Sequence, residues 1–217
     1  MHQEKLNKIL RLHELWLVRS PKGIYADLGG ANLKGVDLQG ANLRGANLEG
    51  ANLQGADLQG ANLKDAYLYK TNLREATLQG ADLYGATLCE ATLEDANLEG
   101  ANLRRVNLER TIFYKTNLRE VDLRRANLKN AYLYKTNLRE ATLQGADLRG
   151  ATLCEANLQR ANFYGANLYK TSLQGANLDE TDLRGTHLKG AILHTAILQG
   201  AIIEDNNMNR NKANIKS

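Results

Sequence analysis

The stretch ADLGGANLKGVDLQGANLRGANLEGANLQGADLQG, residues 26–60, decides the fold. Leu returns every fifth residue, with Ala or Val two places before it and Asn or Asp directly before it. Gly closes each block. The frame runs to Asp205 without insertion or deletion, giving 36 consecutive blocks. The block centre is Leu in 33 of them, with Phe113, Phe163 and Ile203 in the rest, so the centre is an apolar slot throughout. The opening position is Ala in 26 blocks and Val or Thr otherwise, so it is a slot for small side chains.

A period of five fits neither a helix, which repeats near 3.6, nor a strand, which repeats near 2. Regular apolar content of this kind also argues against an unstructured chain. The remaining solution is a solenoid in which each block forms one short side and turns a corner. Leu and the small residue two places earlier point inward, and the other three positions point out. Gly suits the corner because it tolerates positive φ, and Asn or Asp bonds to neighbouring backbone. Coils stacked at the strand spacing place Leu above Leu in continuous columns.

Blocks such as ANLRG, ADLQG and TNLRE resemble the pentapeptide-repeat family, A(D/N)LXX. The resemblance covers residues 26–205. It implies a right-handed quadrilateral β-helix with four blocks per coil. Thirty-six blocks at four per coil give about nine coils, a rod roughly 43 Å long at the strand spacing. The unbroken frame predicts no protruding loops. The expected organisation is a capping helix and linker over 1–25, the β-helix over 26–205 and a polar tail over 206–217.

The formal charge of +4 divides unevenly. Residues 1–25 carry five Lys/Arg against two acids and 206–217 carry three against none, which leaves 20 Lys/Arg against 22 Asp/Glu in the repeats. The basic excess lies in the tails, so nucleic-acid binding is not expected of the rod. Cys89 and Cys154 fall three coils apart on different sides, beyond the reach of a disulfide. They read as free thiols of a reduced, cytoplasmic protein. The apolar stretch near the start is broken by Arg11, His13 and Glu14, so neither a secretory signal nor a membrane span is expected.

Residues 3–18 read as a helix, with Leu6, Ile9, Leu10, His13, Trp16 and Leu17 on one stripe and Ser20-Pro21 ending it. A solenoid exposes a sheet edge at its first coil, so this helix is expected to cap it. A membrane-surface helix is the alternative, because Lys5, Lys8, Arg11 and Arg19 accompany Trp16. The segment LHELWL also resembles the leader of many bacterial pentapeptide-repeat proteins. At the other end Ile192, Ile197 and Ile202 take the slot of Asn or Asp and point outward on three sides. They form an expected homodimer interface, and some gyrase-targeting members of the family dimerise through that end. A modest cap from Met208 and Ile215 is the alternative.

The segment 66–83 recurs at 131–148, and ATLCE at 86–90 recurs at 151–155. The shift of 65 residues is 13 blocks, three coils plus one side. The copied surfaces therefore face different directions, as expected of duplication within a solenoid.

Candidate partner-binding residues stand in outward columns. Arg104 and Arg105 lie one coil from Arg124 and Arg125, with Arg110 and Lys115 following in the next blocks. Glu99, Glu109 and Glu120 are near enough to offset them. The four arginines suit an acidic partner or a phosphate. A second surface pairs Tyr114 with Tyr134, beside Tyr132, Lys115 and Lys135. Arg119 with Arg139 and Glu120 with Glu140 stand alongside, and exposed Tyr and Arg suit an interface. The alternative is a ladder that supports its own coils.

Catalytic residues are not found. The serines Ser20, Ser172 and Ser217 lack a His and acid arrangement, phosphate loops are missing, and His187 with His194 is a weak metal pair. No enzyme activity, cofactor or metal is expected. The expected role is a non-enzymatic structural or protein-interaction module with an unidentified protein partner. The resemblance implies an alternative, a DNA-mimic binder of DNA gyrase or topoisomerase, but that needs a strongly acidic face. Membrane-surface attachment through the helix is the third reading.

Overall fold

The computed structural model describes residues 1–204. The tail 206–217, the end of the last block, and the cap suggested for Met208 and Ile215 lie outside the described residues. A single α-helix, α1 (Gln3–Leu17), precedes the repeats. From Asp27 to Ile202 every block pairs through one parallel bridge with the block twenty residues on, beginning with Asp27–Asn47 and ending with Asp182–Ile202. The chain is a right-handed quadrilateral β-helix of about nine coils: twenty residues are four blocks, hence four sides to a coil. The register never slips, and no loop interrupts it among the described residues.

The block repeats because it satisfies each of its five N–H groups. In the block 46–50, Ala46 N–H closes the turn on Leu43 C=O at 3.0 Å, and Asn47 N–H reaches back one coil to Ala26 C=O at 3.1 Å. Leu48 and Gly50 N–H reach forward to Tyr67 and Tyr69 C=O at 2.7 and 2.8 Å. The fifth, Glu49 N–H, donates to Asn47 Oδ1 at 3.0 Å. That last bond explains the Asn or Asp of the frame: a donor that the ladder cannot reach is closed by a short side-chain acceptor. It recurs in later blocks, as in Tyr164 N–H to Asn162 Oδ1 at 2.9 Å and Asp179 N–H to Asn177 Oδ1 at 3.0 Å.

The corner requires the left-handed region. A bond from the opening residue to the preceding Leu carbonyl, with positive φ at the closing residue, matches a type II turn. Gly30 has φ 63° and supplies this freely. Where the frame lacks Gly the backbone does not change: Arg105 has φ 57°, Glu120 56° and Arg125 59°. Stacking imposes the conformation on side chains that do not favour it.

Leu columns from Leu28 to Leu183 are fully buried, and Phe113 and Phe163 fit the same slot. The opening position accepts Thr because the hydroxyl finds a carbonyl: Thr136 Oγ1 donates to Phe113 C=O at 2.9 Å and Thr71 Oγ1 to Leu48 C=O at 2.8 Å. Helix α1 closes the first coil. Leu6 and His13 are buried, and Ile9 and Leu10 pack against the columns. Its polar groups replace the missing preceding coil. Gln3 Nε2 donates to Asp37 C=O at 2.8 Å while Gln3 Oε1 accepts Asp37 N–H at 3.2 Å. The terminal amine meets Asn32 C=O. The helix ends at Leu17, one residue before the expected end, and Arg19 then takes φ 58°.

Candidate interaction site

Outward side chains fall into columns twenty residues apart, so sequence and register together define each surface. The Tyr column is closed on itself. The Tyr114 and Tyr134 rings stack at 5.8 Å with 12° between planes, and Lys115 and Lys135 lie over them. Tyr134 Oη donates to Glu155 at 2.9 Å, and Lys135 pairs with the same carboxylate at 3.5 Å. Tyr132 is more than half exposed beside them. Arg119 pairs with Glu120 at 2.7 Å and with Glu99 at 3.8 Å. Arg139 pairs with Glu140 at 3.1 Å, and Arg160 continues to Glu140 and Glu180. This neighbouring column is thus a ladder of alternating charge, which offsets its own repulsion.

The arginine quartet is built differently. Arg124 clamps Asp122 in its own block, with Nε 2.9 Å from Oδ1, and Arg104 approaches the same carboxylate at 3.9 Å. Burial pushes the Asp122 carboxyl up, but hydrogen bonds from Arg124 and the nearby Arg104 charge outweigh it and leave the pKa below the ordinary aspartate value. The offsetting acid is therefore Asp122. Glu99 and Glu120, expected in that role, are engaged by Arg119. No ion pair forms between Glu109 and the quartet among the described residues. Arg105 and Arg125 have no carboxylate partner there; Arg105 instead lies over the Tyr84 ring at 5.9 Å.

One coil further the same corner holds Gln144-Gly145, and the next holds Tyr164-Gly165. The missing side chains leave a shallow hollow of about 460 Å³ lined by the four arginines, Gln144 and Tyr164. Tyr164 is more than half exposed at its far side. The glycines were visible in the sequence; only placing them in the arginine column reveals the hollow. A larger depression of about 670 Å³ follows the seam between α1 and the rod, where Arg19 and Arg44 are mixed with Asp65. It gathers no single sign of charge.

The remaining sites are dispersed. His187 stacks on Tyr169 at 5.7 Å, and among the described residues no group of three or more His, Cys, Asp or Glu could hold a metal. Cys89 and Cys154 are free and half-buried. Burial pushes the Cys89 thiol up, and Cys154 Sγ lies 3.1 Å from Ser172 Oγ. Ile192, Ile197 and Ile202 are 47, 53 and 51% exposed in the final coil, where Leu198 and Ile203 are only partly buried. Among the described residues no helix is long and apolar enough to cross a membrane.

The chain belongs to the pentapeptide-repeat family: the family described as Pentapeptide repeats matches overlapping copies that together span residues 26–205. Among solved structures it is similar to HetL, a pentapeptide repeat protein involved in heterocyst differentiation regulation from the cyanobacterium Nostoc sp. strain PCC 7120. Identity is 32%, coverage is 81% of this chain and 93% of that chain, and the TM-score is 0.60. The pentapeptide repeat protein Rfr23 from the cyanobacterium Cyanothece 51142 is 26% identical, covering 70% of this chain and 91% of that one with a TM-score of 0.29. QnrB1, a plasmid-mediated fluoroquinolone resistance protein, is 18% identical, covering 86% and 95% with a TM-score of 0.43. No curated protein sequence matches.

Proposed function

We propose that this protein is a non-enzymatic interaction rod that docks a protein partner at the hollow beside Arg105 and Arg125. The observation that carries the reading is the contrast between columns. In the Tyr114–Tyr134 and Arg119–Arg139 columns every cation but Lys115, which lies over the Tyr114 ring, pairs with a carboxylate, whereas among the described residues neither Arg105 nor Arg125 does. A partly uncompensated cationic hollow with Tyr164 at its edge has the composition of an interface anchor. The interior is filled by Leu and Ala, so a substrate would have to sit on the water-exposed outside, which supports a binding role over catalysis. Two free thiols suit a reducing, cytoplasmic setting.

The test is affinity capture from the native host with wild type and with a variant carrying Glu at Arg104, Arg105, Arg124 and Arg125. Selective loss of captured proteins supports the reading, and equal recovery rejects it. A DNA-mimic role would need an acidic stripe where these arginines stand; inhibition of gyrase supercoiling at sub-micromolar protein would restore it. The helix spends Leu6, Ile9 and Leu10 on the core, which favours capping over membrane attachment. Co-sedimentation with anionic liposomes would reverse that preference.

A second contact is proposed at the opposite end. Three isoleucines about half exposed in the final coil suit burial against another copy of the chain. Light scattering on Ile197→Asp should show a halved mass, and an unchanged mass rejects the dimer.

A further inference from the structure

We propose that the hollow is one margin of a longer docking face, and that its occupant is an extended acidic segment of a partner protein. The inference rests on the docking role proposed for the hollow and gives it an extent and a ligand chemistry. It follows from the register. The side of the rod that starts at Val106 is bordered by two corners. One carries Arg105 and Arg125. The other, reached through the blocks 106–110, 126–130, 146–150, 166–170 and 186–190, carries Arg110, Lys170 and Lys189.

Ion pairing singles out this side. Among the described residues, the cations between Ala101 and Glu204 without a described carboxylate within 4.0 Å are Arg105, Arg110, Lys115, Arg125, Lys170 and Lys189; the others in that range all have one. All of the unpaired ones except Lys115 border the same side. Asp147, on the floor of this side, is held by Arg149 at 2.7 Å and approached by Lys129 at 3.5 Å, and Glu109, beside Arg110 at the second corner, forms no ion pair with it among the described residues. Between the corners the floor is flat and polar, with Asn127 Nδ2 bonded to Asn107 Oδ1 at 2.9 Å. Tyr169, stacked with His187 and overlain by Lys170, provides an aromatic contact at the second corner to match Tyr164 at the first.

The dimensions and charge density favour a polypeptide. From Arg105 to the level of Gly185 is four coils, about 19 Å, which about six residues of extended chain would span. A DNA duplex would set about eleven phosphates against that length, and the carboxylates Asp122, Asp147 and Asp182 stand among the cations to repel them. A peptide with acids at every second or third residue can meet the free cations at both corners and leave those carboxylates between its own charges.

The probe is a short fluorescent peptide of alternating Glu and Gly, with a Gln-Gly peptide and a short DNA duplex as comparisons, read by anisotropy on the full chain. Three charge-reversal variants are compared: Arg105→Glu with Arg125→Glu, Arg110→Glu with Lys170→Glu, and Lys115→Glu. The fold tolerates Glu at such left-handed corners, since Glu75, Glu120 and Glu140 already occupy them at φ 58, 56 and 61°. Circular dichroism checks that each variant is folded. The expected result is salt-sensitive binding of the Glu peptide, no binding of the Gln peptide, and weakening of about tenfold in each double variant. Lys115→Glu should bind as the wild type. If only Arg105→Glu with Arg125→Glu weakens binding, the two-cornered face is overturned while the hollow survives. If neither double variant does, both readings fail. Tighter binding of the duplex than of the peptide, or an equal loss in Lys115→Glu, also overturns the proposal.

Discussion

His13 Nδ1 accepts the backbone N–H of Ala26 at 3.1 Å, while Nε2 of the same ring reaches the Arg44 carbonyl at 3.0 Å. One buried side chain of α1 thus spans the first coil from its opening residue to its last corner. The two contacts fix the ring: the proton sits on Nε2, and Nδ1 must remain an acceptor. Burial drives the His13 pKa below its ordinary value, against the smaller opposing effects of the Arg44 carbonyl and Glu14.

Acid should therefore loosen the cap. The released state binds a proton at His13 more readily than the capped state, so capping is fully favoured above about pH 6.5 and weakens as pH falls below it. Trp16 is the only tryptophan and stacks on His13 at 5.5 Å, so its fluorescence reports the change. Amide exchange at Ala26 should accelerate between about pH 7.5 and about pH 5, after correction for intrinsic exchange. In His13→Ala, Ala26 N–H loses its acceptor at all pH values, at a cost of about 1–3 kcal/mol. Unchanged protection of Ala26 across the range in wild type would refute the linkage.

Asn162 should matter through one oxygen. Tyr164 N–H donates to Asn162 Oδ1 at 2.9 Å, and no other backbone group completes that donor. Asn162→Ala should destabilise by about 1 kcal/mol, whereas Asn162→Asp, which keeps the acceptor, should change stability by less than half as much. Thermal melts rank the two variants, and exchange at Tyr164 N–H assigns the loss. Equal costs for both variants would show that the amide nitrogen or packing matters instead.

The period of five revealed the coil, the Leu columns and the register, because each depends only on which residues are apolar and how often they return. The cap was legible as an amphipathic stripe. What Gln3 and His13 do within it was not, since a side chain standing in for a missing strand leaves no pattern in sequence. The site was half legible. Arg104, Arg105, Arg124 and Arg125 could be gathered by counting twenty, but the carboxylate that engages Arg104 and Arg124 lies in an adjacent slot. Which arginines remain unpaired depends on side-chain geometry around Asp122, a choice between rotamers that spacing does not encode.

Gly85 and Asp65 should be coupled. Gly85 has φ 70°, and a Cβ there would stand 2.5 Å from Asp65 Oδ1, one coil away in the same corner column. At Gly80, with φ 65°, an added Cβ meets open space. Gly80→Ala should therefore cost only the left-handed penalty, about 1–2 kcal/mol, and Gly85→Ala should cost more. In an Asp65→Gly background the excess should vanish, leaving the two alanine variants equal in thermal melts. Equal costs with Asp65 in place would show that its side chain simply swings aside.

Asp122 should restrain the proposed interaction site. It clamps Arg124 and draws Arg104 toward it, so two of the four arginines present less charge to a ligand. Asp122→Asn keeps the oxygen that accepts Arg124 N–H at 3.1 Å but removes the charge. The exposed ion pair it removes is worth about 1 kcal/mol or less, so the fold should tolerate the change. An acidic peptide should bind this variant several-fold more tightly, with a steeper salt dependence. Low pH does not reproduce the variant, because its partners hold the Asp122 pKa below the ordinary aspartate range and the carboxyls of the peptide are neutralised first. Unchanged affinity in Asp122→Asn would mean that Arg104 and Arg124 lie outside the contact, leaving Arg105 and Arg125 as the only members of the quartet that meet the ligand.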